Sequence, residues 1–385
     1  MMQRKTLGYL FALLAVFVPV VWLGCNDEPT SVGLGLLSSR DLVRVDTITV
    51  TAASGSTVRT YINTGSSGNI LLGRSLGYEA RALLQFSNIP DTLRSVTVDS
   101  AKLILIPSYR FGESHGLLSF TVNKMVQGWT EHGITWDSVT TSSYEATTRG
   151  SFGRTVADFD SVVVSLDPNL VMEWFQNVGT NPILGIILIP TGSSNVIVGF
   201  TSFDSTQSPR KPQLLVYYSK GGAQSTIASS SGLDAYVANI DNLASDPNLL
   251  YVQAGVAYRS IVKVDFSLIP QHSGIHGATL ELTLNRSASR LNTQSVDSLF
   301  SFFLASTDSA INASIALGRR LDPNSDVYTF TITPDVQRWI NGQANFGLRI
   351  QAAAEPTTLD LFTLYSSSAS PSLRPRLKII YSRLL

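Results

Sequence analysis

The strongest constraint on the fold is a motif that the chain contains twice. Residues 78–90 and 258–270 are both short β-rich runs that end in Phe-Ser-x-Ile-Pro. Proline has no amide N–H to donate to a strand ladder, so it ends the strand at the same point in each run. The separation of Phe86 from Phe266 is typical of a whole domain and far longer than a solenoid repeat. We therefore expect two copies of one domain.

The ends of the two copies carry a second shared pattern. Residues 212–219 and 375–382 both follow Pro-x-Leu-x-(Val or Ile)-x-Tyr-Ser. Apolar residues that alternate in this way predict a strand, here the last strand of each copy.

Each half contains a single helix candidate. In the first half, Pro168 suits a first helical turn and Gly179 suits the end of the helix. In the second half, Trp339 lies in the same kind of amphipathic stretch, which Gly342 ends. Trp174 and Trp339 recur at the same place in the two copies, so both are expected in the core.

The rest of the chain predicts many short strands separated by turn residues, too closely spaced for βαβ crossovers. We therefore expect an all-β fold of two tandem antiparallel jelly-roll-like β-sandwiches, each with one short helix. The expected domains are residues 41–219 and 225–385, joined by a flexible linker at 220–224 that contains Gly-Gly.

Composition limits the classes of function. The 385 residues are 44% hydrophobic and 15% charged, which is typical of folded domains. Basic and acidic residues number 28 each, so no overall field would attract nucleic acid, and recognition by charge has to be local.

Residues 1–24 have the features of a secretory signal peptide, with a basic start at Arg4 and Lys5 and an apolar run that ends at Cys25. The segment Trp-Leu-Gly-Cys resembles a bacterial lipobox, which implies that Cys25, the only cysteine, becomes an acylated N-terminus. The alternative is a transmembrane anchor with a chance cysteine. Residues 25–40 are expected to form a tether, and Asn26 to Glu28 resemble an acidic signal for export to the surface of Bacteroidota, although plain linkers also carry such residues.

The order of motifs resembles the DNRLRE-type domain, which is grouped with carbohydrate-binding module family 96. The resemblance rests on the Phe-Ser-x-Ile-Pro strand, residues 129–136 (Trp-Thr-Glu-His-Gly-Ile-Thr-Trp), the helix with Trp174, and the closing strand. The second copy lacks a counterpart of residues 129–136. The resemblance implies non-catalytic modules that bind polysaccharide, some of it acidic, at the bacterial outer membrane or cell surface.

Candidate ligand-binding residues lie between predicted strands, where burial in the core is a weak explanation. They are Tyr109, Arg110 and His115 in the first copy and Arg286 and Arg290 in the second. Arginine can bind a uronate carboxylate with two parallel hydrogen bonds. The alternative for both loops is a solvated hairpin tip.

The sequence contains no recognisable catalytic or cofactor motif. His272 and His276 share a Ser/Gly loop rather than a helix face, which disfavours a metal site. Asp241, Asn242 and Asp246 could hold Ca²⁺ or form a solvated turn. We expect no enzyme and no cofactor. The alternatives to polysaccharide binding are a structural or adhesive surface protein and, less favoured, a polysaccharide-degrading enzyme.

Overall fold

The structure is a computed structural model that describes residues 45–60, 62–86, 89–157, 160–206, 208–241, 243, 245–292, 297–307 and 310–383. The expected signal peptide, the acylated Cys25 and the tether lie outside these residues, and so does Asn242 of the expected calcium loop.

Strands dominate the chain. The strands of the first part are β1 (Val45–Arg59), β2 (Asn69–Ser75), β3 (Tyr78–Gln85), β4 (Thr97–Leu105), β5 (Pro107–Gly112), β6 (Leu117–Met125), β7 (Tyr144–Thr155), β8 (Val162–Leu166), β9 (Ile186–Pro190), β10 (Val196–Thr201) and β11 (Gln213–Lys220). They continue as β12 (Ala223–Ser230), β13 (Leu233–Ile240), β14 (Leu249–Gln253), β15 (Tyr258–Val264), β16 (Gly274–Thr283), β17 (Leu299–Leu304), β18 (Ala310–Arg320), β19 (Val327–Thr331), β20 (Leu348–Ala352), β21 (Leu361–Tyr365) and β22 (Arg376–Ser382).

Both expected helices are present, α1 at Pro168–Asn177 and α2 at Thr333–Ile340. At the start of α1, the Asp167 carboxylate accepts a hydrogen bond of 3.0 Å from the N–H of Asn169. Gly179 and Gly342 follow the two helices with φ of +73° and +96°, a left-handed conformation that suits glycine. The buried face of each helix carries the expected tryptophan.

The strands form two sheets. Sheet one has 12 strands, in the order β12-β11-β4-β8-β7-β6-β9-β3-β2-β10-β5, with β13 paired to β3. Sheet two has 10 strands, in the order β1-β22-β16-β19-β18-β17-β20-β15-β14-β21. An additional pairing of β1 with β15 closes sheet two on itself. The all-β prediction is confirmed, and the jelly-roll description of each copy remains a prediction.

Sheet membership crosses the predicted domain division. The first strand of the first copy, β1, pairs with β22 from Val45 to Thr51 and with β15 from Ala52 to Arg59. The first strands of the second copy, β12 and β13, pair with β11 and β3 of sheet one. Each copy therefore places its leading strand in the sheet of the other copy, which interlocks the two halves.

The predicted linker is a tight turn. Lys220 pairs with Ala223, and Gly221 and Gly222 between them have φ of +59° and +85°. Two successive positive φ values are what a two-residue hairpin turn requires, and glycine adopts them without strain. The Gly-Gly pair that suggested flexibility thus forms the turn of the β11–β12 hairpin.

Each sheet has its own hydrophobic core, and the exchanged strands contribute to both. Val50 and Ala52 of β1 are buried in the core of sheet two. Tyr236 and Ala238 of β13 are buried in the core of sheet one. The two halves are therefore joined by burial of apolar side chains as well as by backbone hydrogen bonds.

A smaller apolar layer lies on the other face of sheet one. Residues 126–143, here called the covering segment, connect β6 to β7 and place Ile134 and Val139 against this face. The sheet residues beneath them include Leu83 and Ile187, which are fully buried. None of the described helices has the length and hydropathy needed to span a membrane.

Candidate functional site

A cleft of about 900 Å³ lies between the two halves, where the β2–β3 turn and β5 of sheet one face residues 289–292 of the second half. Polar and apolar residues share its walls. The lining residues with polar side chains are Arg74, Ser75, Glu79, Arg110, Glu113, Ser114, Ser194, Asn195, Asp241, Ser289, Arg290 and Asn292.

Two of the sequence-predicted residues meet in this cleft. Arg110 lies on β5, and Arg290 lies in a segment that pairs with Leu361 through two backbone hydrogen bonds of 2.9 Å. Arg110 comes from the first half and Arg290 from the second, so each half contributes one arginine to the same cleft.

Contacts across the cleft hold the side chain of Arg290 and the backbone of Arg110. The Arg290 Nη1 atom donates a 2.7 Å hydrogen bond to the carbonyl oxygen of Leu76 in the β2–β3 turn. The side-chain amide of Asn292 donates to the carbonyl oxygen of Arg110. Because each contact joins the two halves, the arrangement of the site depends on their interlocked packing.

The floor of the cleft is aromatic but buried. Tyr78 and Phe111 pack edge to face, with ring centroids 5.3 Å apart. The guanidinium carbon of Arg290 lies 5.8 Å from the centroid of the Tyr78 ring. Burial raises the pKa of Tyr78 to about 12, so its phenol stays neutral at physiological pH. The floor therefore offers no charge.

The carboxylates of the cleft differ in their partners. Glu79 is bound by Arg74 and by Arg81, whose Nε lies 2.7 Å from the Glu79 carboxylate. Glu113 accepts a 3.1 Å hydrogen bond from the side-chain amide of Asn195. No carboxylate of the described chain forms an ion pair with Arg290. Arg290 is thus an exposed cation of the cleft that an acidic ligand could reach.

The other three predicted residues do not line the cleft. Tyr109 is only 6% exposed, and its hydroxyl accepts a hydrogen bond from the N–H of Leu359 at 3.1 Å. His115 is exposed at the hairpin tip, 3.0 Å from the Ser114 hydroxyl. Arg286 forms a surface ion pair of 2.6 Å with Asp326.

The reason for the misplacement of Tyr109 is local. The sequence stretch expected to be a loop is strand β5, in which alternate side chains are buried. Alternation turns Tyr109 toward the core and Arg110 toward the cleft. The tyrosine is therefore buried, and its hydroxyl joins the two halves.

Sequence reasoning missed other residues of the cleft, including Arg74 and Glu79 on the strands beside the β2–β3 turn, and Asn195 and Asn292 on loops. Leu76 and Gly77 between β2 and β3 both have positive φ, which marks a tight turn. Neither that turn nor its position against the second half was predicted from the sequence.

The tryptophans of the covering segment pack on the outer face of sheet one. The indole N–H of Trp129 donates a 2.9 Å hydrogen bond to the carbonyl oxygen of Leu184. The guanidinium of Arg81 stacks on Trp136, 4.4 Å from the ring centroid. A hollow of about 440 Å³ adjoins Trp129. Both rings are half-buried and stabilise the covering segment.

Described residues of the two loops that the sequence offered as possible metal sites have other contacts. His276 contacts the hydroxyl of Ser382 at 2.9 Å, and Asp246 accepts a 2.8 Å hydrogen bond from the N–H of Asn248. Within the described ranges, no three His, Cys, Asp or Glu side chains are grouped as metal ligands. Compared with protein-family models and with curated proteins, the chain has no significant match.

Proposed function

We propose that this chain is a bacterial surface lipoprotein whose two jelly-roll-like modules bind polysaccharide in the cleft between them, without cleaving it. The observation that carries the proposal is the position of Arg110 and Arg290, which come from different halves and line one cleft. The sequence resemblance to carbohydrate-binding DNRLRE-type domains suggests the class of ligand.

The chemistry of the cleft suits a sugar polymer that carries carboxylates. Side-chain amides and hydroxyls can exchange hydrogen bonds with sugar hydroxyl groups. Arg290 can bind a uronate carboxylate bidentately, which gives geometric specificity as well as energy. The volume of about 900 Å³ falls within the usual range for ligand pockets and leaves room for a short stretch of a polymer.

The test compares two arginines that were predicted together and lie in different places. Residues 45–385 would be titrated with polygalacturonate and alginate by calorimetry and by affinity electrophoresis. Loss of a charge-assisted hydrogen bond costs roughly 1.5–3 kcal/mol, so Arg290→Ala is expected to weaken binding about tenfold or more. Arg286→Ala, which removes only a surface ion pair, is the matched control and should bind like the wild type.

Equal binding by the Arg290→Ala and Arg286→Ala variants would place the ligand elsewhere. Failure of the wild-type chain to bind any acidic or neutral polysaccharide would favour the structural or adhesive alternative. New reducing ends or unsaturated products after incubation would identify an enzyme instead.

The membrane anchor requires its own test. The lipobox-like segment implies that the Cys25 thiol and amine carry fatty acyl chains, and three chains would give stable anchoring. When the full chain is expressed in a bacterium fed an alkyne-labelled palmitate, the wild type should be labelled and sediment with membranes. Cys25→Ser should lose both properties, whereas membrane retention of this variant would support the transmembrane alternative.

A further inference from the structure

The outward face of β17 and β18 carries four large apolar side chains. They are Phe300, Phe302, Ile315 and Leu317, which pair across the two strands and do not belong to the core of sheet two. Ile315 is 47% exposed and Leu317 is 37% exposed, whereas Phe300 is half-buried and Phe302 is only 7% exposed. These four residues are here called the apolar patch.

The duplicated fold provides an internal comparison. β17 lies between β18 and β20, as β6 lies between β7 and β9. Leu188 of β9 pairs with Ala82. Leu348 of β20 pairs with Val262, which occupies the same position of the repeated motif as Ala82. With these two pairs matched, each residue of β17 can be assigned a corresponding residue of β6, and its partner on β18 a corresponding residue of β7.

The positions of sheet one that correspond to the apolar patch are small or polar. They are Ser119, Thr121, Ser151 and Gly153, paired across β6 and β7 in the same way. The fold therefore does not require apolar residues at these places. Large apolar groups on an exposed surface usually mark an interaction site when they are contiguous.

Sheet one also contains an apolar outer layer, and there the chain supplies its own cover. The covering segment places Ile134 and Val139 on that layer, and Trp136 stacks on Arg81 of the sheet. The carboxylate of Glu131 accepts a 3.0 Å hydrogen bond from the N–H of Asp234. The segment contains acidic residues and no Lys or Arg. In sheet two the corresponding connection, residues 305–309, is too short to do the same.

The charges beside the apolar patch are positive. The guanidinium of Arg349 lies 4.9 Å from the Phe302 ring centroid, and Arg319 is exposed next to Leu317 along β18. Over the ranges that the structure describes, neither arginine forms an ion pair with a carboxylate. The neighbouring Glu355 is bound by Arg259 at 2.6 Å. A partner with carboxylates would supply the missing counter-charges, whereas a second copy of this patch would bring arginines together.

We propose that the apolar patch is a docking surface for a polypeptide segment that carries carboxylates beside aromatic or aliphatic side chains. The covering segment has this composition, with Glu131 and Asp137 close in sequence to Ile134 and Trp136. On sheet one it lies over β3, β9 and β13 rather than over the positions that correspond to the apolar patch, so it serves here as an example of the chemistry and not of the position. Apolar contacts with Ile315 and Leu317 would supply most of the affinity, and Arg319 and Arg349 would select acidic partners. This surface is separate from the cleft that contains Arg290.

The test uses the covering segment itself as the probe. A fluorescein-labelled, end-capped peptide with the sequence of residues 126–143 would be titrated against residues 45–385 by fluorescence polarisation. Saturable binding is expected, and Ile315→Ser combined with Leu317→Ser should weaken it about tenfold through lost apolar burial. Ile380→Ser is the matched control, because Ile380 is an exposed isoleucine on β22 of the same sheet. Both variants alter exposed side chains, and equal melting temperatures would verify their folding.

A second peptide tests the charge selection, with lysines in place of Glu131 and Asp137. It should bind at least fivefold more weakly at low salt, and the difference should shrink as salt is added. Four results would overturn the proposal: no binding at millimolar peptide, equal binding by the double serine variant, equal binding of the lysine peptide, or displacement by polygalacturonate. A dimer in light scattering that the double serine variant abolishes would also overturn it, by identifying a second copy as the occupant.

Discussion

At the scale of single residues, Asp234 is a buried carboxyl group whose pKa is strongly raised. It is 1% exposed on the exchanged strand β13, where it accepts hydrogen bonds from the N–H of Phe203 at 2.7 Å and from the hydroxyl of Ser231 at 3.1 Å. Burial raises its pKa to about 7, and these two hydrogen bonds only partly oppose the shift. Asp234 is therefore protonated in the folded state at pH values where the unfolded chain has lost this proton.

This shift gives Asp234→Asn a stability effect that depends on pH. In the wild type, stability from this group is complete below the unfolded pKa of about 3.9, falls as the pH rises toward 7, and stays low above that. The neutral amide avoids this loss, so we expect Asp234→Asn to gain about 2.5 kcal/mol of stability at pH 8 relative to its effect at pH 5. Urea unfolding at the two pH values would measure the difference.

The matched control for this experiment is Asp241→Asn, which changes an exposed carboxylate just after the same strand. Its effect should be within about 0.5 kcal/mol at both pH values. If Asp234→Asn is equally destabilising at pH 5 and pH 8, the buried carboxylate is already ionised and matched by its donors.

At the scale of elements, the sequence predicted what depends on local signals. Both helices were found because Pro168 and the glycines after each helix act within a few residues. β5 was predicted to be a loop because Pro107 was taken to end the preceding strand, although Tyr109 and Phe111 alternate with polar residues. Arg110 was still assigned to a candidate site, because that assignment used only its residue type and its place between two predicted strands.

The elements that depend on distant partners were not predictable in this way. The apolar alternation from Val45 to Val50 predicts a strand but not its partner. No neighbouring residue in the sequence indicates that this strand pairs with β22. The Gly-Gly pair at 221–222 is compatible with a flexible linker and with a two-residue turn. The pairing of β11 with β12 shows that it forms the turn. Assembly of the cleft from both halves depends on the same distant contacts.

At the scale of the whole molecule, the exchange of leading strands determines how the chain can be divided. All strands of sheet one, β2 to β13, lie within one continuous stretch from Asn69 to Ile240. Sheet two combines β1 with β14 to β22 and is therefore discontinuous in sequence. The stretch of chain that forms sheet one therefore starts and ends later than the first sequence repeat. The reason is that the first strand of each repeat pairs in the sheet formed mainly by the other repeat.

This arrangement predicts which fragment folds. Residues 62–241 hold every strand of sheet one, including β13 with the buried Tyr236, and should unfold cooperatively when heated. Residues 41–219, the unit suggested by the repeat, contain β1 without its partners β22 and β15 and lack β12 and β13. That fragment leaves β3 and β11 with unpaired edges and should aggregate or melt without a cooperative transition. Circular dichroism melts and light scattering would compare the two fragments, and a cooperative, monomeric fragment 41–219 would show that the first copy retains its own leading strand.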